Sequence, residues 1–336
     1  MKEFDGSPTC VELLVPLFAE LYEQTGFTKS DIGFWCSGSS DYLAGRSFSF
    51  VSAVDAIGPL PPVNESHVEM DAAWALYEAW LKIQTGEVDT ALVYGFGKAS
   101  AGTRRRTLAL QLDPYTMTPL WPDTVSIAGL QARLGLESGQ WDEKAMAEVV
   151  NRSLTDAESN EYAVRKGGSS VADLLARPMY ADPLRKHDCA PVTDGAAAMV
   201  LVAGDRAREV IDRPAWITGF SHNVDPLQLG GRDLTASPSA ARAAAGLDLS
   251  DVDVAELHAP FSHQELILRR ELGLGDGVRI NPSGGALAAN AMFSAGLIRT
   301  GEAARRIWSG EATKALGHAT SGPALQQNLV CVMEGN

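Results

Sequence analysis

The sequence predicts an α/β protein built from two similar halves of alternating strands and helices. The clearest unit runs from residue 63 to 97. It begins with an alternating segment, continues with apolar residues at helical spacing, and ends with an apolar segment after Gly86. A second series of such segments begins after Arg206 and also ends in an apolar strand. We therefore expect a duplicated α/β unit, with halves at 1–205 and 206–336, although no literal repeat is visible.

The first half is predicted to alternate between helices with one apolar face and short apolar strands. Over 10–24, leucines and Phe18 recur at spacings of three and four, and Gly26 ends the pattern. We expect a loose terminus over 1–9, a flexible loop over 37–40 and a connection over 58–62. The predicted elements are a helix over 10–24, a strand over 32–36, a helix over 48–57, a strand over 63–68, a helix over 70–81 and a strand over 90–94.

Residues 98–190 lack this alternation and are rich in Pro, Asp and Arg. We interpret them as a long, mostly helical excursion between two strands, with helices over 124–133 and 142–152. It could form a lid or a subunit contact, and an element used only for packing and dimerisation is an equally good interpretation.

The second half shows the same alternation. Small residues over 188–196 lead into an apolar strand that closes the first half, and the pattern then resumes. The predicted elements are strands over 197–202, 216–220, 254–258, 314–318 and 329–333, with helices over 237–245, 262–272 and 303–308 and a Gly/Ala-rich loop running into a helix over 284–298.

Composition and charge exclude several classes of protein. The formal net charge of −14 is unfavourable for binding nucleic acid or an anionic membrane, although Arg104, Arg105 and Arg106 form a local basic segment. The four cysteines show no paired spacing, which indicates a reducing compartment and no zinc site. No segment resembles a signal peptide or a membrane span. We therefore expect a cytoplasmic protein without a metal.

Three motifs resemble the thiolase superfamily. They are TDGAAAMVLV at 193–202, VAELHAPFSHQELILRRELGL at 254–274 and INPSGGALAAN at 280–290. The segments ESHVEMDAAWALYEAW and HATSGPALQQNLVCV resemble the bacterial branch of lipid-transfer-protein, or sterol-carrier-protein-type, thiolases. The resemblance implies a five-layered α-β-α-β-α fold, a dimer and an acyl-CoA ligand. It also implies a first strand that this sequence does not contain before its first helix.

The sequence departs from that superfamily at the catalytic positions. A thiolase needs a cysteine nucleophile at the start of a buried central helix, and the alignment places Glu69 there, or Val68 if the register slips by one. The superfamily's Gly-His-Pro motif is replaced by residues 289–292, Ala-Asn-Ala-Met, and its His-Asp-Cys-Phe motif by His-Ala-Pro-Phe from His258. His318 falls near the last acid/base cysteine. Thiolysis through an acyl-enzyme is therefore not expected.

Four side chains are the candidates for catalysis, each with a structural alternative. Glu69 could be a general base, or it could cap its own helix or pair with an arginine. His258 and His318 could line the pocket or be hydrogen-bonded core residues. Asn290 could donate to an oxyanion or enolate, or cap a helix beginning at Ala291.

Other residues are candidates for holding the substrate. Asp71 could contact it or act as a first-turn cap, and His263 is expected to be a solvated helix residue. Arg104–106 could meet CoA phosphates or be a solvated turn. The predicted substrate-binding residues are Asp71, Gly284, Gly285, Ser321 and Gly322.

The sequence leaves three functions open. The resemblance implies that relatives without the cysteine act as retro-aldolases on β-hydroxyacyl-CoA in steroid side-chain degradation, together with an OB-fold partner. These relatives use tyrosines in loops corresponding to 289–292 and 318–322, which have none here. The alternative is a non-catalytic subunit that binds acyl-CoA or lipid beside an active thiolase-like paralogue; a free lipid carrier has the least support. CoA is expected only as part of the substrate, and the assembly could be a homodimer or a heterodimer.

Overall fold

A computed structural model describes residues 9–44, 47–58, 64–100 and 102–335. Most of the predicted connection over 58–62 and of the predicted loose terminus over 1–9 lies outside these residues. The strands are β1 (Phe34–Gly38), β2 (Glu65–Val68), β3 (Thr90–Gly97), β4 (Met179–Ala181), β5 (Leu184–Arg185), β6 (Gly195–Val202), β7 (Trp216–Val224), β8 (Val254–Glu256), β9 (Arg279–Ile280), β10 (Lys314–Ser321) and β11 (Gln327–Glu334).

The helices alternate with these strands in both halves, as the sequence predicts. They are α1 (Cys10–Thr25), α2 (Asp41–Ala44), α3 (Ser49–Ile57), α4 (Ala72–Gln84), α5 (Arg104–Leu110), α6 (Thr124–Glu137), α7 (Glu143–Asp156), α8 (Val171–Leu175), α9 (Ala207–Val210), α10 (Pro238–Ala244), α11 (Ser262–Glu271), α12 (Gly285–Ala288) and α13 (Ala295–Trp308).

Each half contributes one main sheet. The first has the order β2-β1-β3-β6, with β1 parallel to β2 and β3, and β6 antiparallel to β3. The second has the order β7-β11-β10-β8-β9, with β8 parallel to β9 and β10, and β11 antiparallel to its neighbours. In the described part of the chain the first sheet thus has four strands and the second has five.

The two sheets and their helices stack in five layers, which confirms the predicted fold class. Helices α1 and α3 pack on the outer face of the first sheet around Leu14, Phe18 and Tyr94. Helices α4 and α13 lie between the sheets in the largest shared core, which includes Leu76 and Leu297. Helices α10 and α11 cover the outer face of the second sheet.

Local sequence signals explain where several elements begin and end. Thr9 and Glu12 form a capping box at the start of α1, and Gly26 ends that helix with a left-handed backbone. Residues 37 and 38 were predicted to lie in a loop, but they complete β1. A side chain on Gly38 would put its Cβ 2.5 Å from the Ala72 nitrogen, so glycine permits the close contact of β1 with α4.

The excursion over 98–190 is mostly helical, with α5 to α8 and the short antiparallel pair β4–β5, which the sequence did not indicate. Its helix α7 packs on α11 and α12 of the second half through a small apolar cluster that includes Val150, Leu174 and Leu287. The excursion therefore contacts the second half, and its residues form one wall of a cleft between them.

Candidate functional site

A cleft of about 460 Å³ lies where the turns that follow three strands meet the excursion. The turn after β2 contributes Glu69, Met70 and Asp71, the segment after β8 contributes 258 and 260–261, and the end of β10 with the loop beyond it contributes 320–327. Helix α6 and residues 189–192 close the opposite side. Parallel strands expose their carboxyl ends at one edge of a sheet, which is where α/β proteins bind ligands.

His258 and Asn290 form a hydrogen-bonded pair in this cleft. The backbone N–H of Thr320 donates to His258 Nδ1 at 3.4 Å, so the ring proton lies on Nε2, which donates to Asn290 Oδ1 at 3.1 Å. Burial lowers the pKa of His258 to about 4, and the ring is therefore neutral near pH 7. Because its oxygen is occupied, the Asn290 side chain keeps its Nδ2 donors for a ligand.

Glu69 lies at the same cleft but is not a helix cap. Its Oε1 accepts a hydrogen bond from the Asp41 N–H at 2.8 Å, and its Oε2 lies 3.6 Å from His67 Nε2. The Glu69 side chain is 45% exposed and lines the cleft together with His258. His67 is itself held by Ser37 Oγ at 2.9 Å and by the stacked ring of Phe50. Glu69 is therefore a positioned carboxylate that faces both solvent and the cleft.

Asp71 is the cap of α4, as one alternative proposed, and it also holds α13. Its carboxylate accepts from the N–H groups of Ala73 at 2.9 Å, Gly296 at 2.9 Å and Leu297 at 3.1 Å. The side chain is almost fully buried, and desolvation raises its pKa although these bonds oppose the shift. Asp71 thus contributes a wall of the cleft while joining the amino ends of two central helices.

Three of the residues predicted from sequence lie outside this cleft. His318 is fully buried behind it, where Nε2 donates to Asn328 Oδ1 at 3.0 Å and burial lowers the pKa of the ring to about 3. Gly284 and Gly285 have positive φ and pack against Ala157 and Asn281, so they shape the turn into α12. The site therefore brings together Glu69, Asp71, His258 and Asn290, but not His318.

Ser321 and Gly322 do line the cleft, at the start of the loop between β10 and β11. Ala324 and Leu325 in this loop have left-handed backbones, with φ of 50° and 59°, a conformation that costs energy for residues with a side chain. The buried Arg232 side chain donates to the carbonyl oxygens of Pro323 and Ala324 and pairs with Asp225. Arg232 therefore holds the loop in its strained conformation.

The prediction for His263 and one of the two alternatives for Asn290 are wrong. His263 was expected to be solvated, but α11 packs beneath α6 and buries it, with Nε2 bound to Gln131 Oε1 at 3.1 Å. Asn290 does not cap the following helix, because α13 begins only at Ala295 after Ser294. Both errors come from tertiary packing that periodicity within one segment does not reveal.

One cleft residue, Cys189, was not singled out from the sequence. Residues 189 and 190 bridge to the 260–261 segment, which brings the thiol to the cleft wall. Its Sγ donates to the Arg185 carbonyl, and burial raises the pKa of the thiol to about 12. A thiol that stays protonated at neutral pH is a poor nucleophile. The other three cysteines are buried and form no disulfide within the described ranges.

Neither a metal site nor a membrane span is found in the described residues. No group of three or more His, Cys, Asp or Glu side chains in these ranges is arranged to hold a metal ion. No helix among them combines the length and the apolar character needed to cross a bilayer.

Comparisons with known proteins agree with this architecture. The chain is 33% identical over 199 residues to an acetyl-CoA acetyltransferase from Methanothermobacter thermautotrophicus, a match that covers 52% of this chain and 51% of that protein. It is 27% identical over 286 residues to an acetyl-CoA acetyltransferase from Methanocaldococcus jannaschii, covering 76% and 72% of the two chains. The chain is similar in sequence to both acetyltransferases. The match to the first of these relatives spans only about half of that protein's length. No family model matches the chain.

Solved structures show the thiolase-like fold over nearly the whole chain. A structure described as the Ltp2-ChsH2(DUF35) aldolase superposes with a TM-score of 0.79 at 18% identity, covering 98% of this chain and 94% of the other. Human mitochondrial 3-ketoacyl-CoA thiolase superposes with a TM-score of 0.75 at 16% identity, covering 98% and 93%. At these identities the likeness establishes the fold, and the thiolase-like architecture predicted from the sequence motifs is confirmed.

Proposed function

We propose that this protein binds an acyl-CoA thioester in the cleft and breaks a carbon–carbon bond of the acyl group without a cysteine nucleophile. The reaction would be a retro-aldol cleavage of a β-hydroxyacyl-CoA, in lipid or steroid side-chain degradation. The branch of thiolase-like proteins without a catalytic cysteine is the one whose motifs the sequence resembles. The observation that carries this proposal is the His258–Asn290 pair, which presents an amide donor where the negative charge of an enolate would develop.

The geometry of that pair suits an enolate. Cleavage of the bond between Cα and Cβ leaves an electron pair that moves onto the thioester carbonyl and creates an enolate oxygen. Asn290 Nδ2 can donate to this oxygen, and His258 holds the amide in that orientation. Because His258 is neutral and its Nδ1 already accepts from Thr320, the ring acts as a positioning group for Asn290.

Glu69 is the carboxylate available to start the reaction. In the proposed step it takes the proton of the β-hydroxyl group, the Cβ–O bond becomes a carbonyl, and the Cα–Cβ bond breaks. An aldehyde or ketone leaves, and protonation of the enolate at Cα yields a shortened acyl-CoA. Glu69 returns its proton in that last step or to solvent, which reaches its half-exposed side chain.

The cleft chemistry also weighs against thiolysis. A thiolase reaction needs a thiolate at the reacting carbonyl, and Cys189, which lines the cleft, has a pKa raised to about 12. The aldolase to which the fold is similar is described with two components, Ltp2 and ChsH2(DUF35). We therefore include a partner protein in the proposal, and the family resemblance of the sequence motifs implies that this partner has an OB fold.

Turnover of a β-hydroxyacyl-CoA tests this function. The purified protein is incubated with 3-hydroxyacyl-CoA thioesters, alone and with any OB-fold protein that a neighbouring gene encodes. The aldehyde or ketone and the shortened acyl-CoA are then quantified. We expect Glu69→Gln to abolish the products and Asn290→Ala to lower kcat on the order of 100-fold, as for loss of an oxyanion donor. Glu87→Gln is the matched control, because Glu87 pairs with Lys82 outside the cleft. Wild-type activity in Glu69→Gln would contradict the assigned base.

A second candidate function is a non-catalytic subunit that binds acyl-CoA beside a thiolase-like paralogue. It is favoured by the state of the two histidines, since His258 is held neutral by burial and His318 lies behind the cleft. Of the acid/base groups predicted from the sequence, Glu69 is the one that lines the cleft and has an exposed side chain. Tight binding of CoA thioesters with no product from any substrate or partner would favour this subunit function.

A further inference from the structure

Arg104 is a cation at the cleft for which the described residues supply no carboxylate. Its neighbour Arg105 pairs with Asp123 at 2.5 Å, whereas no ion pair of Arg104 occurs in the described part of the chain. The Arg104 side chain is half-buried, and desolvation lowers its pKa. Burying a charge without a counter-charge is costly, so a guanidinium in this setting is well placed to gain an anionic ligand.

The position of Arg104 connects two concave surfaces. It lines the cleft that holds Glu69 and His258, and it also lines an open depression formed by Ala99, residues 102–106 and Trp121. The Trp121 ring is half-exposed and forms an apolar wall beside the arginines. A ligand that extends from the cleft at this side must therefore pass the guanidinium.

We propose that Arg104 binds an anionic group of the thioester whose reacting end occupies the cleft. This inference rests on the proposed function, since it assigns a second contact to the same ligand. The group is a phosphate of CoA or a carboxylate carried by the acyl chain, since the planar guanidinium donates to either through paired N–H groups. The chain has a net charge of −14, so such binding would come from this local site and not from the protein's overall field.

Binding measurements with three thioesters test the site and identify the anion. The ligands are butyryl-CoA, succinyl-CoA and the butyryl thioester of N-acetylcysteamine, which lacks phosphates. Dissociation constants are measured by calorimetry for the wild type, Arg104→Ala and Arg106→Ala. Arg106 is the matched control, because it is exposed on the same helix, lines only the open depression and carries the same charge.

If Arg104 binds a CoA phosphate, Arg104→Ala weakens both CoA thioesters by at least about tenfold and leaves the N-acetylcysteamine thioester unchanged. If it binds an acyl carboxylate, only succinyl-CoA is weakened by that factor. Unchanged affinity for all three ligands, or an equal loss in Arg106→Ala, would overturn the site while leaving the proposed function intact. Absence of thioester binding by the wild-type protein would instead overturn the proposed function, and this site with it.

Discussion

Asp71 shows how one side chain can link the two halves of the molecule. Its carboxylate accepts from backbone N–H groups of α4 and α13, which belong to different halves and meet between the sheets. The first four N–H groups of any helix lack acceptors within that helix. Here one buried carboxylate is the acceptor for such N–H groups of two helices. The same residue forms part of the cleft, so the cleft wall and the junction of the halves depend on each other.

Substitution of Asp71 should destabilise the protein strongly. Asp71→Ala leaves several buried N–H groups without acceptors, and we expect it to lower the free energy of unfolding by on the order of 3 kcal/mol. Asp71→Asn keeps one oxygen acceptor and should cost less. Urea unfolding monitored by circular dichroism measures both values. Equal stability of Asp71→Ala and the wild type would contradict the bonding described here.

At the scale of elements, the central helices approach one another and the sheet closely because their facing residues are small. A Cβ added at Gly296 in α13 would lie 2.4 Å from the Ala319 Cβ and 2.7 Å from Asp71 Oδ1. A Cβ added at Gly301, about one and a half turns further along the same helix, would have the Met199 Cε as its nearest heavy atom, at 3.6 Å. The two glycines therefore differ in packing while sharing the same helical backbone.

A pair of alanine variants separates packing from helix propensity. We expect Gly296→Ala to destabilise the protein by about 1–3 kcal/mol, because the added methyl must displace its neighbours. Gly301→Ala should be neutral or stabilise by up to about 1 kcal/mol, because alanine favours the helix. Thermal unfolding of both variants provides the measurement. Similar shifts in the two melting temperatures would show that the close approach at Gly296 has no energetic consequence.

At the scale of the whole molecule, the second half buries three neutral histidines. Burial lowers the pKa of His258 to about 4 and that of His263 and His318 to about 3, whereas unfolded histidines titrate near their ordinary value of about 6.5. Because the folded pKa values are the lower ones, the unfolded chain takes up protons first as the pH falls. The stability that the neutral rings provide at pH 7 is therefore lost progressively below about pH 6.5, down to about pH 4 for His258 and about pH 3 for His263 and His318.

This titration predicts acid sensitivity. Each buried histidine should lower the free energy of unfolding by on the order of 2 kcal/mol between pH 7 and pH 5. The buried carboxyls of Asp71 and Glu256, whose pKa values are raised by desolvation, act in the opposite direction. As the pH falls from 7 to 5, the urea midpoint should decrease less steeply in His263→Gln, which retains a donor for Gln131. The same slope in this variant and the wild type would contradict a neutral, buried His263.

The fold was predictable because its signals are local and repeated. The helical spacing before Gly26, the apolar strand that begins at Thr90 and the small-residue motifs of the second half each specify an element from neighbouring residues alone. The short pair β4–β5 was missed because two or three residues carry no periodicity. The division into halves at 205 and 206 stays a prediction, since α4 and α13 share a single core.

The candidate site was predictable in part. Glu69, Asp71, His258 and Asn290 follow strands or precede helices, and such positions converge at the sheet edge in any α/β fold. His318 has the same kind of position in sequence, but its side chain points behind the cleft, where Asn328 binds it. The roles of these residues in catalysis remain predictions for the experiments above.

The sequence by itself determined the class of fold, the order of its elements and the absence of a cysteine at the expected nucleophile position, because these depend on the type and spacing of neighbouring residues. Only the tertiary structure decided that Asp71 joins two helices, that His258 is hydrogen-bonded to Asn290 and that Arg104 lines the cleft with no ion-paired carboxylate among the described residues. Those facts depend on contacts between residues far apart in the chain, such as the hydrogen bond from Gly296 to Asp71. Such contacts determine which side chains are buried, which charges are paired and which hydrogen bonds form.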